Sequence, residues 1–110
     1  MTESMGRVTV SQDVLNTIVR LTTLGVEGVA RLDKRSGRRR GAEGFHVEVS
    51  DNQAKVDVYV ILKPDTNLRE IGRSIQAEIA RSLQEMVGMQ AATVNVHIQD
   101  VEPPAGESNA

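Results

Sequence analysis

Residues 45–62 read FHVEVSDNQAKVDVYVIL, and this stretch decides the fold. Apolar residues occupy alternate positions on both sides of Asp51 and Asn52, with polar residues between them. A period of two is typical of β-strands that bury one face. Asp and Asn also tolerate the left-handed backbone that a two-residue hairpin turn requires. The stretch therefore predicts a β-hairpin that turns at Asp51 and Asn52.

A two-residue turn fixes which residues of the hairpin face each other. Ser50 pairs with Gln53 beside the turn, and Phe45 pairs with Val58 at the open end. Among residues 45–58, which this register pairs, the apolar side chains all fall on one face, and the charged side chains fall on the other. The charged face then gains two cross-strand pairs of opposite charge: Glu48 with Lys55, and His46 with Asp57.

Two amphipathic helices flank the hairpin in the sequence. Ser11 and Asn67 are typical N-caps, and Gly25 and Gly88 follow the last residues of the two apolar periodicities. Gly72 lies inside the second helix, where glycine is unfavourable, and this predicts close packing against the first helix. We expect the apolar stripes to be buried core rather than partner surfaces. Their members are Val14, Leu15, Ile18, Leu21 and Leu24 in the first helix and Leu68, Ile71, Ile75, Ile79, either Leu83 or Ser82, and Met86 in the second.

Short valine-rich stretches predict further strands at residues 7–10, 26–33 and 94–98. The predicted order of elements is thus β-α-β-β-β-α-β. Two amphipathic helices and one half-buried sheet bury their apolar surfaces by packing as two layers. The sequence therefore predicts an α+β two-layer sandwich, in which a mixed sheet carries both helices on one face and leaves a polar opposite face.

The sequence predicts one folded domain at residues 6–101. We expect its two ends, residues 1–5 and 102–110, to be disordered, because neither has an apolar pattern that could be buried. Residues 34–44 hold three glycines and no apolar residue larger than alanine. This stretch cannot form a core of its own, so we expect a mobile basic loop.

The composition excludes several classes of protein. The chain has no Cys, which excludes thiolate chemistry and thiol-based zinc sites and fits a reducing cytosol. The longest strongly apolar run, residues 58–62, is far shorter than the about 20 residues that a membrane span needs. The N-terminus lacks the basic and then apolar regions of a signal sequence. We therefore expect a cytoplasmic protein without a membrane span, whose contact with a membrane would be peripheral or through a partner.

Residues 34–40, KRSGRRR, carry five cationic side chains in a chain whose formal net charge is −2. Such a run suits an anionic partner, either the phosphates of a nucleic acid or an anionic membrane surface, and it is also typical of a solvated loop. Sheets that read RNA need aromatic side chains on their open face. Because Phe45 is predicted to face the core, nucleic acid is the less favoured partner. The residues that would contact an anion are Lys34, Arg35, Arg38, Arg39 and Arg40.

The polar face of the predicted sheet is the other candidate site. His46 and His97 both lie on it, and Asp57 is predicted opposite His46, so a metal site or a His–Asp dyad is conceivable. No Ser or Thr has a predicted place beside His46, and no further ligand is placed with the histidines. We therefore expect no catalytic, metal or cofactor site. The face instead predicts a polar interaction surface made of His46, Glu48, Lys55, Asp57, Tyr59, Asn95 and His97.

Three stretches of the sequence resemble one bacterial family. They are GRVTVSQDVLNTI at residues 6–18, GVEGVARL at residues 25–32, and NLREIGRSIQAEIARSLQEMVGMQAATVNVHIQDV at residues 67–101. Their order and spacing are similar to those of the alkaline shock protein family, also called the envelope stress response family. The chain departs from the family pattern at residues 21–23, where members often have small residues. It departs again at residues 63–65, where members often have an aromatic residue followed by glycine.

The resemblance implies a non-enzymatic cytosolic protein of cell-envelope homeostasis that responds to stress. Some family members self-associate and collect beneath the membrane through a small membrane-anchored partner, so the resemblance implies a homo-oligomer with such a partner. It assigns no catalytic residue and no cofactor, and it gives no role to residues 34–40. The alternative function is a small nucleic-acid-binding module that uses these basic residues.

Overall fold

The computed structural model describes residues 5–34 and 43–104. These residues form an α+β sandwich with the sheet as one layer and both helices as the other, as the sequence predicts. Residues 1–4, 35–42 and 105–110, which include most of the predicted disordered ends and basic loop, lie outside the described residues. The elements in chain order are α1 (Gln12–Leu24), β1 (Val29–Leu32), β2 (Phe45–Ser50), β3 (Gln53–Leu62), α2 (Leu68–Val87) and β4 (Gln90–Val101).

The β2–β3 hairpin has the predicted register along its whole length, from the Ser50–Gln53 pair to the Phe45–Val58 pair. Asp51 and Asn52 have φ values of 51° and 60°. Both values lie in the left-handed region, which a two-residue hairpin turn of the favoured twist requires at both positions. The local chemistry of the turn and the alternation of the strands therefore specify the same structure.

Strand β3 is the centre of the sheet. Strand β4 runs parallel to it along one side, so the sheet is mixed, as predicted. Strands β1 and β2 both run antiparallel to it, and they lie end to end along its other side. The sheet is therefore three strands wide, and in the described part of the chain its two outer edges, formed by β4 and by β1 with β2, have no further strand beside them.

The core lies between the sheet and the helices. Phe45 is 6% exposed and belongs to this core, as its position in the alternation predicts. Ile61 is an exception to the predicted polar face. Its position in the alternation places it on that face, yet its side chain is only 2% exposed, and it does not belong to the core cluster. The core side of β3 has no exposed surface, and its residues are Ala54, Val56, Val58, Val60 and Leu62.

Both helices begin and end where the sequence predicts. The hydroxyl of Ser11 accepts a hydrogen bond from the amide of Val14, and the side chain of Asn67 accepts one from the amide of Glu70. Helix α2 ends at Gly88, whose φ of 66° belongs to the left-handed conformation in which glycine carries no steric cost. These caps satisfy amide groups that would otherwise be left unpaired at the helix ends.

Two expectations about these elements are wrong. Residues 7–10 form no strand, because no neighbouring strand is placed beside them, and Val8 is 94% exposed. Gly72 does not mark close packing between the helices, because a Cβ atom built there would meet only the Cδ1 atom of Ile98 in β4, at 4.0 Å. The element order of the described residues is consequently α-β-β-β-α-β.

Candidate functional site

The three-strand register places the predicted polar residues on one face of the sheet. His46 of β2 is the register partner of Asp57 in β3, and Asp57 is in turn the partner of Asn95 in β4. Tyr59 and His97 pair in the next row. The same parity along each strand brings all the predicted residues of this surface to the face opposite the helices: His46, Glu48, Lys55, Asp57, Tyr59, Asn95 and His97.

Asp57 is the centre of a hydrogen-bonded cluster between β3 and β4. Its Oδ1 atom lies 3.0 Å from Nε2 of His97 and accepts a hydrogen bond of 3.2 Å from Nδ2 of Asn95. The sequence predicts a pair of Asp57 with His46, and the register does align these two residues. The carboxylate nevertheless bonds to the β4 side chains, because β4 is its other neighbour and brings two hydrogen-bonding partners within reach.

The ring of His97 is held on two sides. It stacks on the ring of Tyr59 with a centroid distance of 4.5 Å and an angle of 12° between the planes. Offset stacking of this kind is favourable for aromatic rings. Because Asp57 bonds to the Nε2 atom of the same ring, both the plane and the rotation of His97 are fixed. Sequence reasoning missed this cluster, since the pairing of β4 with β3 cannot be read from either strand alone.

His46 occupies a different environment from His97. Its Nε2 atom is buried and has no hydrogen-bond partner among the described residues, although the side chain as a whole is 31% exposed. The closest carboxylate oxygen recorded for this atom is Oε2 of Glu48, on its own strand, at 3.9 Å. A buried polar atom without a partner is uncommon in proteins. Glu48 also aligns with Lys55, as predicted.

Several described side chains of this face form hydrogen bonds to one another. No group of three or more His, Asp or Glu side chains that could hold a metal ion occurs within residues 5–34 and 43–104. The recorded hydrogen bonds of His97 and Asp57 join them to each other and to Asn95. A nucleophile oriented by a histidine, as acyl transfer requires, is not among these contacts.

The predicted anion-binding residues fall mostly outside the described residues. Lys34 is exposed in a turn directly after β1. Arg35, Arg38, Arg39 and Arg40 lie within residues 35–42, which the structure does not describe. The predicted contact with an anionic partner therefore stays a prediction.

The outer side of the helix layer carries apolar surface that the sequence interpretation placed in the core. Val14 and Leu21 of α1 are 45% and 56% exposed, and Met86 of α2 is 66% exposed. These side chains border a shallow groove between the helices, together with Thr17 and Ile18. The helix stripes are wider than the sheet can cover, so the expectation that they are entirely core is wrong. Neither helix of the described chain is long and apolar enough to cross a lipid bilayer.

The sequence matches one family over most of its length. The profile of the alkaline shock protein 23 family, described as having a cell envelope-related function, matches residues 1–103. The uncharacterized protein YqhY of Bacillus subtilis (strain 168) is 23% identical over 106 residues, covering 89% of this chain and 78% of YqhY. The uncharacterized protein Spy1614 of Streptococcus pyogenes serotype M6 is 25% identical over 107 residues, covering 88% of each chain.

Solved structures of MamM CTD share the fold. One variant in a manganese form has a TM-score of 0.61 at 11% identity and covers 82% of this chain and 99% of that chain. A copper form has a TM-score of 0.59 at 11% identity and covers 89% of this chain and 92% of that chain. At such low identity, the likeness describes the arrangement of helices and strands alone.

Proposed function

Because this chain belongs to the alkaline shock protein 23 family, which has a cell envelope-related function, we propose that it is a non-enzymatic interaction module that self-associates near the cytoplasmic membrane. In this proposal it works in the cytoplasm during envelope or alkaline stress and reaches the membrane through a small membrane-anchored partner protein. The uncharacterized relatives carry no activity in their names. Two exposed surfaces of the fold support the proposal: the outer edge of β4 and the polar face of the sheet.

The outer edge of β4 is the observation that carries this proposal. The strand is twelve residues long, pairs with β3 on one side, and has no strand on the other side among the described residues. Gln76 bonds to one carbonyl of this edge, that of Val94. An edge of this length without a neighbouring strand can still pair with another chain through its remaining backbone groups. Proteins that stay monomeric usually shorten, charge or cover such edges.

The polar face of the sheet is the second surface that supports an interaction role. Asp57, Asn95 and His97 are already joined to one another, so this part of the surface is ordered before a partner arrives. Ordered side chains lose little conformational entropy on binding, which favours a specific protein contact. We assign the contact to the seven polar-face residues His46, Glu48, Lys55, Asp57, Tyr59, Asn95 and His97.

Self-association can be measured by light scattering on the purified full chain over a concentration series. We expect the mean mass to rise with concentration above that of the 12.0 kDa monomer. A mass that stays at the monomer value at the highest concentration reached would contradict the proposal. Salt should be held constant, because charged surfaces associate differently at different ionic strength.

The membrane-anchored partner is tested separately by flotation. The proposal expects the chain to float with native membranes and to stay unbound with protein-free lipid vesicles of the same lipid composition. Equal flotation with both preparations would show direct attraction to lipid and would remove the need for a partner. Absence from native membranes would contradict the proposed location.

A further inference from the structure

Residues 6–10, Gly-Arg-Val-Thr-Val, have the pattern of a strand and lack the partner that a strand needs. Val8 and Val10 alternate with polar residues and are 94% and 43% exposed. No backbone hydrogen bond joins residues 6–10 to another part of the described chain. A β-branched segment with free amide and carbonyl groups is suited to pairing with an exposed sheet edge.

The outer edge of β4 offers the matching backbone groups. Nε2 of Gln76 in α2 donates a hydrogen bond of 3.0 Å to the carbonyl of Val94, so this carbonyl points away from β3. Backbone groups alternate in direction along a strand. The carbonyls of Val96 and Ile98 therefore point to the same side. Because Gln76 already bonds to the carbonyl of Val94, the carbonyls of Val96 and Ile98 are the ones offered to a partner strand.

The side chains at this edge need more cover than the monomer gives. Val94, Val96 and Ile98 face the helices and pack against the core, yet each is only partly buried. Above them, a Cβ atom placed on Gly72 would meet nothing closer than Ile98 at 4.0 Å. A strand added beside β4 would place Val8 and Val10 next to this half-buried row and extend the core by one strand.

The chain cannot supply this strand to its own β4. Gln12, the first residue of α1, donates its Nε2 hydrogen to the carbonyl of Val47, which places it beside β2, on the opposite side of the sheet from β4. Neighbouring strands lie about 4.8 Å apart, so the position beyond β4 is on the order of 15 to 20 Å away across β2, β3 and β4. Ser11, the single residue between the segment and the helix, spans about 3.5 Å.

We propose that residues 6–10 of one copy of this chain add as a strand to the outer edge of β4 in a second copy. The inference rests on the proposed self-association and names the surfaces that produce it. The segment and the edge are different surfaces, so each copy can give one segment and receive another. Residues that form no strand in the single chain become an outer strand of the neighbouring sheet.

Disulfide trapping tests this pairing directly, because the chain has no Cys of its own. One variant carries Thr9→Cys, and separate variants carry Thr93→Cys, Asn95→Cys or Gln99→Cys on β4. Equal amounts of a Thr9→Cys chain and a β4 variant are mixed in a glutathione redox buffer, and the mixed dimer is quantified by mass spectrometry. Docking raises the local thiol concentration towards millimolar, so at least one β4 position should trap Thr9→Cys about a hundredfold more than a remote exposed site, Asp65→Cys.

Two further variants separate this pairing from its alternatives. Glu48→Cys on β2 probes the opposite edge, and trapping there in place of β4 would overturn the proposal. A double variant with Thr9→Cys and Gln99→Cys probes pairing within one chain. A disulfide that closes inside diluted monomers would overturn the assignment to a second copy.

Proline substitutions supply a readout without cysteine. Val8→Pro and Thr9→Pro each remove one amide, and successive amides point to opposite sides of a strand. At least one of them should return the full chain to the monomer mass in light scattering, with an unchanged circular dichroism spectrum. A parent chain that never exceeds the monomer mass would instead defeat the proposed function. If the parent chain and both proline variants all self-associate, and no β4 position traps Thr9→Cys, only the proposed strand addition is wrong.

Discussion

The β2–β3 hairpin and residues 7–10 carry the same kind of pattern and differ in structure. Valines alternate with polar residues in both. The hairpin pairs along its whole length, whereas residues 7–10 form no strand and leave Val8 94% exposed. In the hairpin, Asp51 and Asn52 return the chain directly onto its partner strand. Residues 7–10 run directly into α1 and have no such partner.

The comparison separates two conditions that a strand must meet. Alternation determines which side chains can share one face, and pairing requires a neighbouring strand within reach. A two-residue turn provides that neighbour at small entropic cost, because the loop to be closed is short. A lone segment must find its neighbour elsewhere in the fold or in another molecule. Substitutions in the two regions should therefore have very different effects on the stability of the single chain.

The largest effect is expected from a charge at the centre of the paired region. Val56 lies on the core side of β3 and has 0% exposure, so Val56→Asp would bury a carboxylate with no partner. We expect the free energy of unfolding to fall by more than about 4 kcal/mol. That loss is a large fraction of the about 5 to 15 kcal/mol by which ordinary domains are stable. Urea unfolding followed by far-ultraviolet circular dichroism measures the loss.

Val8→Asp is the matched control for this substitution. It introduces the same carboxylate at a valine of the unpaired segment, which is 94% exposed. The unfolding free energy of the monomer should change by no more than about 0.5 kcal/mol. A large loss at Val8 at monomeric concentrations would mean that residues 7–10 pair within their own chain, and the comparison would then fail.

A smaller effect is expected at the turn that distinguishes the two regions. Asn52 has a φ of 60°, so Asn52→Ala places an ordinary side chain in the left-handed region at a cost of about 1 to 2 kcal/mol. Asn52→Gly keeps that conformation and loses only the 3.4 Å hydrogen bond from Nδ2 to the carbonyl of Gly88. Urea unfolding of both variants isolates the backbone contribution. Equal losses would show that the side-chain contact, not the turn conformation, holds the hairpin.

The sequence predicts the fold best where local chemistry and pattern coincide. The register of the hairpin follows from the turn at Asp51 and Asn52, and the start of each helix follows from Ser11 and Asn67. The inward position of Phe45 follows from parity alone. Each of these features depends on residues within a few positions of one another, so a single sequence contains the information.

The features that the sequence does not predict depend on contacts between distant residues. The pairing of Asp57 with His97 requires β4 to lie parallel to β3 and in one particular register. The burial of Ile61, whose parity is that of the polar face, depends on how the sheet is covered. The exposure of Leu21 and Met86 depends on how far the sheet extends beneath the helices. Periodicity predicts the face on which a side chain lies. How deeply that side chain is buried depends on the whole fold.

Gly72 lies inside helix α2 at a position where no close tertiary contact excludes a larger side chain. A Cβ atom at this position would make an ordinary contact with Ile98 at 4.0 Å, so space exists for a methyl group. Gly72→Ala should therefore raise the unfolding free energy by about 0.5 to 1 kcal/mol, the usual advantage of alanine inside a helix. The same urea titration measures it. A lower stability of Gly72→Ala would mean that the backbone of α2 requires glycine at this position. It would also mean that helix propensity does not determine stability even where space for a methyl group exists.

The smallest effect on stability is expected from the basic segment, residues 34–40, because its sequence has no apolar residue and predicts no core contact. Replacing Arg38, Arg39 and Arg40 by Ser should change the unfolding free energy by less than about 0.5 kcal/mol. If the segment contacts an anionic partner, the same variant should lose retention on nucleic acid or on anionic vesicles at low salt, because each cation near such a surface contributes about 1 kcal/mol.

Neutral vesicles provide the control for that binding experiment. Attraction that depends on these arginines should vanish on neutral lipid and decline steeply with added salt, since exposed charges are screened over a Debye length of about 10 Å at 0.1 M. Retention of the parent chain on nucleic acid alone would favour the nucleic-acid-binding alternative over contact with a membrane. If the parent chain binds neither nucleic acid nor anionic vesicles, the segment has no anionic partner of either kind and the predicted contact is wrong.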